Sequence, residues 1–340
     1  MSQPSEPAVE RRHVVRVGLG LLVPGVVLLV AGRPELIVYA VFGSFTGMYG
    51  RREGPAERLR HQFHGAGMLV TGVALGVTFS QREAPTAALV VGVTLFATVG
   101  SLLTDRLRLH PGGPFFGIFA FGATATIGAD LVDPFVAVGI CVATAAWCLA
   151  LGLSGLAPGE QPAGVPQEPL LGTLVHALRY AVAIAGAGAV GLALGLDHAN
   201  WAMAAAAVPL AVVVGGEPLD LRAVLDRAAH RVAGTFAGLA VTAAVLLPEP
   251  RPAVLAVVVM VLLFPTELFM SRHYGLALGF FTPLIMLMTE LAAPSDPSSL
   301  LLARGVDTVV GVVVGVAAAA RIPGRRPSGT AQERIAQWAE

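Results

Sequence analysis

Apolar residues run through this chain in long, closely spaced stretches, separated only by short charged or Pro/Gly segments. The runs fall at residues 14–32, 35–50, 62–80, 85–103, 112–129, 133–156, 170–196, 199–215, 232–247, 252–270, 274–291 and 299–320. Most approach the ~17–25 residues that a helix needs to cross the hydrocarbon of a bilayer. The runs at 35–50 and 112–129 are short and rich in glycine. Charged residues make up only 13% of the chain, about half the share of a soluble domain. So little charge cannot cover a water-facing surface. The pattern predicts an all-α polytopic membrane protein with about twelve transmembrane helices and the lipid bilayer as its first partner.

The arginines predict how the chain threads. With the N-terminus inside, the inner segments hold Arg11, Arg12 and Arg16, then Arg51, Arg52, Arg58 and Arg60, then Arg106 and Arg108. They continue with Arg179, with Arg222, Arg227 and Arg231, with Arg272, and with Arg321, Arg325, Arg326 and Arg334, while the outer loops hold only Arg33, Arg82 and Arg251. Basic residues concentrate on the cytoplasmic side of membrane proteins. Eighteen against three therefore predicts a cell-membrane protein with an even number of spans and both termini in the cytoplasm. Arg11, Arg12 and Arg16 precede a first run that is followed at once by others, so a retained span is expected rather than a cleaved leader. Every basic residue is arginine and Ala, Val and Gly abound, a composition that points to a GC-rich bacterial genome.

The chain also repeats. A Pro/Gly linker at residues 157–168 divides a first membrane half (1–156) from a second (169–321), with a tail at 322–340. A shift of 167 residues lays Arg12 on Arg179, Arg60 on Arg227, His64 on Arg231 and Gly67 on Gly234. Six spans in each half would make the repeats parallel, related by an axis along the membrane normal. Gly234 with Gly238 and Gly311 with Gly315 form GxxxG spacings, which allow close helix packing.

Three stretches of the second half carry a family resemblance. They are His198-Ala-Asn-Trp201 with its following apolar run, Arg227-x3-Arg231-Val-Ala-Gly234-Thr235-Phe-Ala-Gly238, and Arg272-His-Tyr274 with Phe281-Thr282-Pro283 and Arg304-Gly-Val-Asp307-Thr308. In order and spacing they resemble the fusaric acid resistance protein-like family of aromatic acid exporter-like membrane proteins, over about residues 170–320. The first half matches in outline alone and lacks a counterpart of Arg304 and Asp307. The resemblance implies export of small, often aromatic, organic acids or toxic compounds, coupled to the proton gradient. Larger members carry soluble domains, whereas this chain has a tail of about twenty residues after Arg321.

Ionisable groups inside a membrane are costly and point to function. Arg304 and Asp307 lie one turn apart on one helix face; the pair reads as an anion or proton-coupling site, or as a structural ion pair. Arg227 and Arg231 read as an anion-gathering mouth or as topology anchors, with Thr235 placed to hydrogen-bond across helices. His176 and Arg179 share a face near the start of the seventh run, where the histidine could pass protons. Glu267 is a candidate proton acceptor or a partner for Arg272. Trp201 and Tyr274 suit interfacial anchoring, or stacking on an aromatic substrate.

The remaining classes are disfavoured. Net charge is zero, so no nucleic-acid partner is indicated. Cys141 and Cys148 lack metal or redox spacing and read as small apolar side chains. No zinc-protease, nucleophile-elbow or phosphate-loop motif is present, so no enzyme and no cofactor is expected. The reading is a transporter for a small organic anion. Its alternatives are a passive organic-anion channel and a non-transporting membrane scaffold, and a second copy of the chain is a candidate partner.

Overall fold

The computed structural model describes residues 6–51, 53–153, 170–195, 199–212 and 220–322. The linker at 157–168, the C-terminal tail from 323 and His198 lie outside the described residues. Twelve α-helices occur among the described residues: α1 Glu6–Val30, α2 Ile37–Ser44, α3 Pro55–Gln81, α4 Thr86–Leu107, α5 Phe115–Ala125, α6 Pro134–Leu153, α7 Leu170–Ala193, α8 Ala199–Ala206, α9 Leu221–Leu246, α10 Pro252–Met270, α11 Tyr274–Ala292 and α12 Pro297–Arg321. Each predicted run overlaps one of them, and no strand occurs among the described residues. Proline opens α3, α10 and α12, where its fixed φ suits a helix start and its missing N–H costs nothing. Asp220 and Asp296 cap α9 and α12 by accepting from the backbone N–H of Ala223 and Ser299.

Nine of these helices are long and apolar enough to span a membrane. The expectation of twelve full spanning helices fails for α2, α5 and α8. At 1.5 Å per residue the eight residues of α2 and of α8 reach about 12 Å, well short of the ~30 Å hydrocarbon layer. Helix α2 tightens into a 3-10 turn at Phe45–Met48, and a second such turn, Pro209–Val212, follows α8. A broken backbone is tolerated at membrane depth only inside protein, because lipid cannot satisfy its N–H and C=O groups. Accordingly every residue of α2 and α8, and residues 116–124 of α5, are buried. Helix α11, intact but with residues 281–288 wholly buried, joins them as the fourth inner helix.

The long outer helices bury one face and turn the other outward, where Val27, Leu95, Val261 and Val313 are exposed as a lipid-facing surface requires. Helices α3 and α6 hold α5 and α2, while α9 and α12 hold α11 and α8. Between the two sets of six, α1 packs on α10, α7 on α4, α5 on α8 and α2 on α11.

Glycine sets these approaches. A Cβ at Gly311 or Gly315 would overlap the carbonyl oxygens of Ala202 and Ala206 on α8, and one at Gly234 or Gly238 would meet α11. These GxxxG faces are therefore occupied within the chain. In α3 the glycines that meet α5 are Gly72 and Gly76, against Gly117 and Phe121. Gly67, aligned with Gly234 by the 167-residue shift, has open space beside it. That shift thus misplaces the contacts of α3, because matching arginines does not locate the packed face.

Replacing Gly311 by Leu is expected to cost the ~1–3 kcal/mol typical of overpacking, or more, and to lower the unfolding midpoint in detergent. Gly139→Ala, where nothing lies within 4 Å, should leave the midpoint unchanged.

Candidate functional site

Three arginines of the second half each lie over or beside an aromatic ring. Arg227, Arg231 and Thr235 recur every four residues along α9 and so form one stripe. The Arg227 guanidinium lies 3.3 Å from the centre of the Tyr274 ring. Arg231, 1% exposed, stands 5.3 Å from the Phe115 ring on α5. Arg304 on α12, also 1% exposed, sits 5.1 Å from Trp201 and 5.9 Å from Phe119. Desolvated cation–π contacts of this kind contribute about 2 kcal/mol each. A cleft of about 410 Å³, lined by Arg227, His230, Arg272, His273 and Tyr274 among others, opens beside the first arginine.

Among the described residues no carboxylate hydrogen-bonds to these cations. Nε and Nη2 of Arg231 and Nε and Nη1 of Arg304 are buried with no hydrogen-bond partner among the described residues. Asp307 is fully buried, and both its carboxylate oxygens also lack one. Arg304 and Asp307 therefore attract each other across a turn without sharing a hydrogen bond, so the locked ion pair offered as one reading does not form. Arg231 and Arg304 repel each other. Two guanidinium groups and one carboxylate leave one net positive charge when all are ionised. The Oγ1 atoms of Thr235 and Thr308 are likewise unpartnered among the described residues, so Thr235 does not bridge helices as expected.

The aromatic wall comes from the first half of the chain. Phe115, Phe116 and Phe119 on α5 pack with Phe42 on α2, with Phe45 in the 3-10 turn after it and with Phe281 on α11; Phe45 to Phe116 is 5.0 Å and Phe42 to Phe119 is 5.5 Å between ring centres. Sequence reasoning placed the site in the second half and missed these rings. The signal available was the phenylalanine spacing at 115, 116 and 119 inside a run too short to span. Trp201 was expected at the membrane interface, yet it is 1% exposed, because α8 is enclosed and carries it against Arg304.

The other candidate residues lie at separate helix junctions. Glu267, 3% exposed, accepts from His13 Nε2 at 2.6 Å and from Arg51 Nη1 at 3.3 Å. It does not pair with Arg272, which reaches past the end of α10 to Glu10 on α1. His176 Nδ1 donates to Asp105 Oδ2 on α4 at 2.8 Å. Arg179 Nε donates to the carbonyl of Ile322 at 2.9 Å. In α3 the buried arginine is Arg58, whose Nη1 donates to the carbonyl of Gly152 at 3.1 Å, whereas Arg60 is exposed beside Glu57. Among the described residues no group of three or more His, Cys, Asp or Glu side chains is placed to hold a metal.

Fold and site together define a multi-pass helical membrane protein with an arginine-lined interior. The fusaric acid resistance protein-like family matches residues 182–318, so the second half of this membrane protein carries a domain related to that family. The matched region contains Arg227, Arg231, Glu267, Arg304 and Asp307 and excludes His176 and Arg179. The uncharacterized membrane protein YvaC of Bacillus subtilis (strain 168) is 30% identical over 145 residues, which cover 42% of this chain and 22% of that relative. The match thus spans about a fifth of the relative's length. No solved structure matches.

Removing Glu267 leaves the buried His13 Nε2 without its acceptor, and an unsatisfied buried donor costs about 1–3 kcal/mol, more where charge is involved; Arg51 keeps Glu10. Glu267→Leu should therefore destabilise the protein strongly in detergent melts. His13→Leu combined with Glu267→Leu should cost less than the sum of the two single changes, by the ~0.5–3 kcal/mol expected of contacting residues.

Proposed function

We propose that this protein is a secondary transporter that exports small organic anions, aromatic carboxylates among them, along the path Arg227, Arg231, Arg304. The carrying observation is that these guanidinium groups are buried or half-buried against aromatic faces with donors that no acceptor among the described residues uses. A planar carboxylate supplies what such a site lacks, an anion for the two forked donors and a ring for the walls of Phe115, Phe119 and Trp201. Asp307, beside Arg304, is the proposed proton-coupling group. Protonated, it leaves both arginines free for the anion; ionised, it competes with the anion for Arg304. The name of the matched family, resistance to fusaric acid, favours outward movement of an organic acid.

Two parallel six-helix units are part of the proposal. Helix pairings support it, because α3 on α5 recurs as α9 on α11, α2 on α6 as α8 on α12, and the crossed pair α1 on α10 as α7 on α4. The broken helices α2 and α8 fall at corresponding places, as do binding-site helices in repeat-built transporters. The arginine distribution supports cytoplasmic termini, with the cleft at Arg227 as the inner entrance.

The test is efflux of radiolabelled benzoate from vesicles holding the purified protein, with and without a proton gradient. Efflux should rise with the gradient. It should fall about tenfold or more in Arg304→Ala, the loss expected for charged hydrogen bonds worth ~1.5–3 kcal/mol, with partial recovery in Arg304→Lys. Flux indifferent to the gradient would remove proton coupling, and unitary conductance steps in a planar bilayer would replace the transporter by a channel. Undiminished flux in folded Arg231→Ala and Arg304→Ala would exclude the arginine path.

A further inference from the structure

We infer that His176 is a proton-binding site that latches the tail of the broken helix α8 to α7 and α4. The ring is buried, and each of its nitrogens faces an acceptor. Nδ1 lies 2.8 Å from Asp105 Oδ2, and Nε2 lies 3.3 Å from the carbonyl oxygen of Leu210 in the turn Pro209–Val212. A carbonyl oxygen accepts only, and so does an ionised carboxylate. Both contacts are hydrogen bonds at once only when both ring nitrogens carry hydrogen, which only the imidazolium form provides.

The corresponding junction between α1 and α10 makes the contrast. There Arg16 Nη2 lies 2.9 Å from His13 Nδ1. A guanidinium only donates, so His13 Nδ1 accepts and the one ring hydrogen sits on Nε2, aimed at Glu267. His13 thus meets a donor at Nδ1, whereas both nitrogens of His176 meet acceptors.

Loss of the His176 proton has a defined consequence. The remaining hydrogen stays on Nδ1, toward the charged acceptor Asp105. The lone pair then exposed on Nε2 opposes the Leu210 carbonyl, and the 209–212 turn is released from α7. Other charge near the ring is limited. On α4 there is Asp105, with Arg106 exposed after it; α8 and the 209–212 turn carry no titratable side chain. On α12 the charged groups are Arg304, Asp307 and Arg321. Within α7, Tyr180 packs 5.1 Å from the ring, and Arg179 is bonded to Ile322. Asp105 is therefore the partner that balances the imidazolium.

The latch bears on the arginine path through α8, which holds Trp201 on Arg304 and rests its Ala202 and Ala206 carbonyls on Gly311 and Gly315. His176 and Asp105 both lie outside the region matched to the family. The latch itself does not depend on the transport reading, and its test uses no substrate.

The test is hydrogen–deuterium exchange of the purified full-length protein in detergent, followed by mass spectrometry of peptides covering 199–212. Exchange is read at about pH 5.5 and about pH 8.5, which bracket the range where histidine charge changes, and is corrected for intrinsic rates. Protection of this segment should fall about tenfold from the lower to the higher pH, the factor expected for losing a charge-assisted hydrogen bond. His176→Gln should give the low value at both pH values, and His13→Gln should keep the step. Asp105→Asn, which removes the balancing carboxylate, should move the step to lower pH and serves as the second readout if His176→Gln does not fold. Protection independent of pH, a step that survives His176→Gln, a step lost in His13→Gln, or one unmoved by Asp105→Asn would each overturn the assignment.

Discussion

A helix that stops halfway through a bilayer exposes backbone N–H and C=O groups to hydrocarbon, and only protein can receive them. This constraint organises the molecule. Helices α2, α5 and α8 are too short to span, so they lie inside a shell of longer helices and are buried on all sides. The shell can close only where it approaches their backbones, and glycines on α3 and α12 permit this at α5 and α8. The outer faces of the shell then carry the exposed valine and leucine that meet lipid.

Enclosure also creates the interior in which charge has consequence. Arg231 and Arg304 are fully buried because the inner helices α5 and α8 and their neighbours surround them. In water their aromatic neighbours would contribute little, whereas in a desolvated interior each ring stabilises a guanidinium appreciably. Asp307 offsets one of the two charges without quenching either by a hydrogen bond. The result is a cluster with donors unpartnered among the described residues, aromatic walls and a single excess positive charge, the features on which the proposed anion site rests. The His–carboxylate junctions use charge differently, since His13 with Glu267 and His176 with Asp105 tie helices of the two halves to each other.

Much of this was legible in the sequence. Every apolar run corresponds to a helix, since hydropathy and helix length are local properties of the chain. Arg304, Asp307, Arg227 and Arg231 stood out because charge inside apolar runs is rare. The partners were not legible. Glu267 was expected to pair with the nearby Arg272, but in the fold it meets His13 and Arg51 from the other end of the chain. Trp201 looked interfacial because tryptophan favours that zone, while enclosure of α8 carries it inward. The repeat was read from basic residues, whereas the packed face of α3 is set by Gly72 and Gly76.

By itself the sequence determined that this is a helical membrane protein, where its helices lie, and which few side chains carry charge into the apolar interior. These follow from composition and spacing along the chain, which act within a turn or two of each residue. Tertiary structure alone decided that three short helices are enclosed, that rings from the first half face arginines of the second, and that those arginines keep donors unpartnered among the described residues. These outcomes depend on which distant faces meet, and periodicity along a chain does not specify a partner more than a hundred residues away.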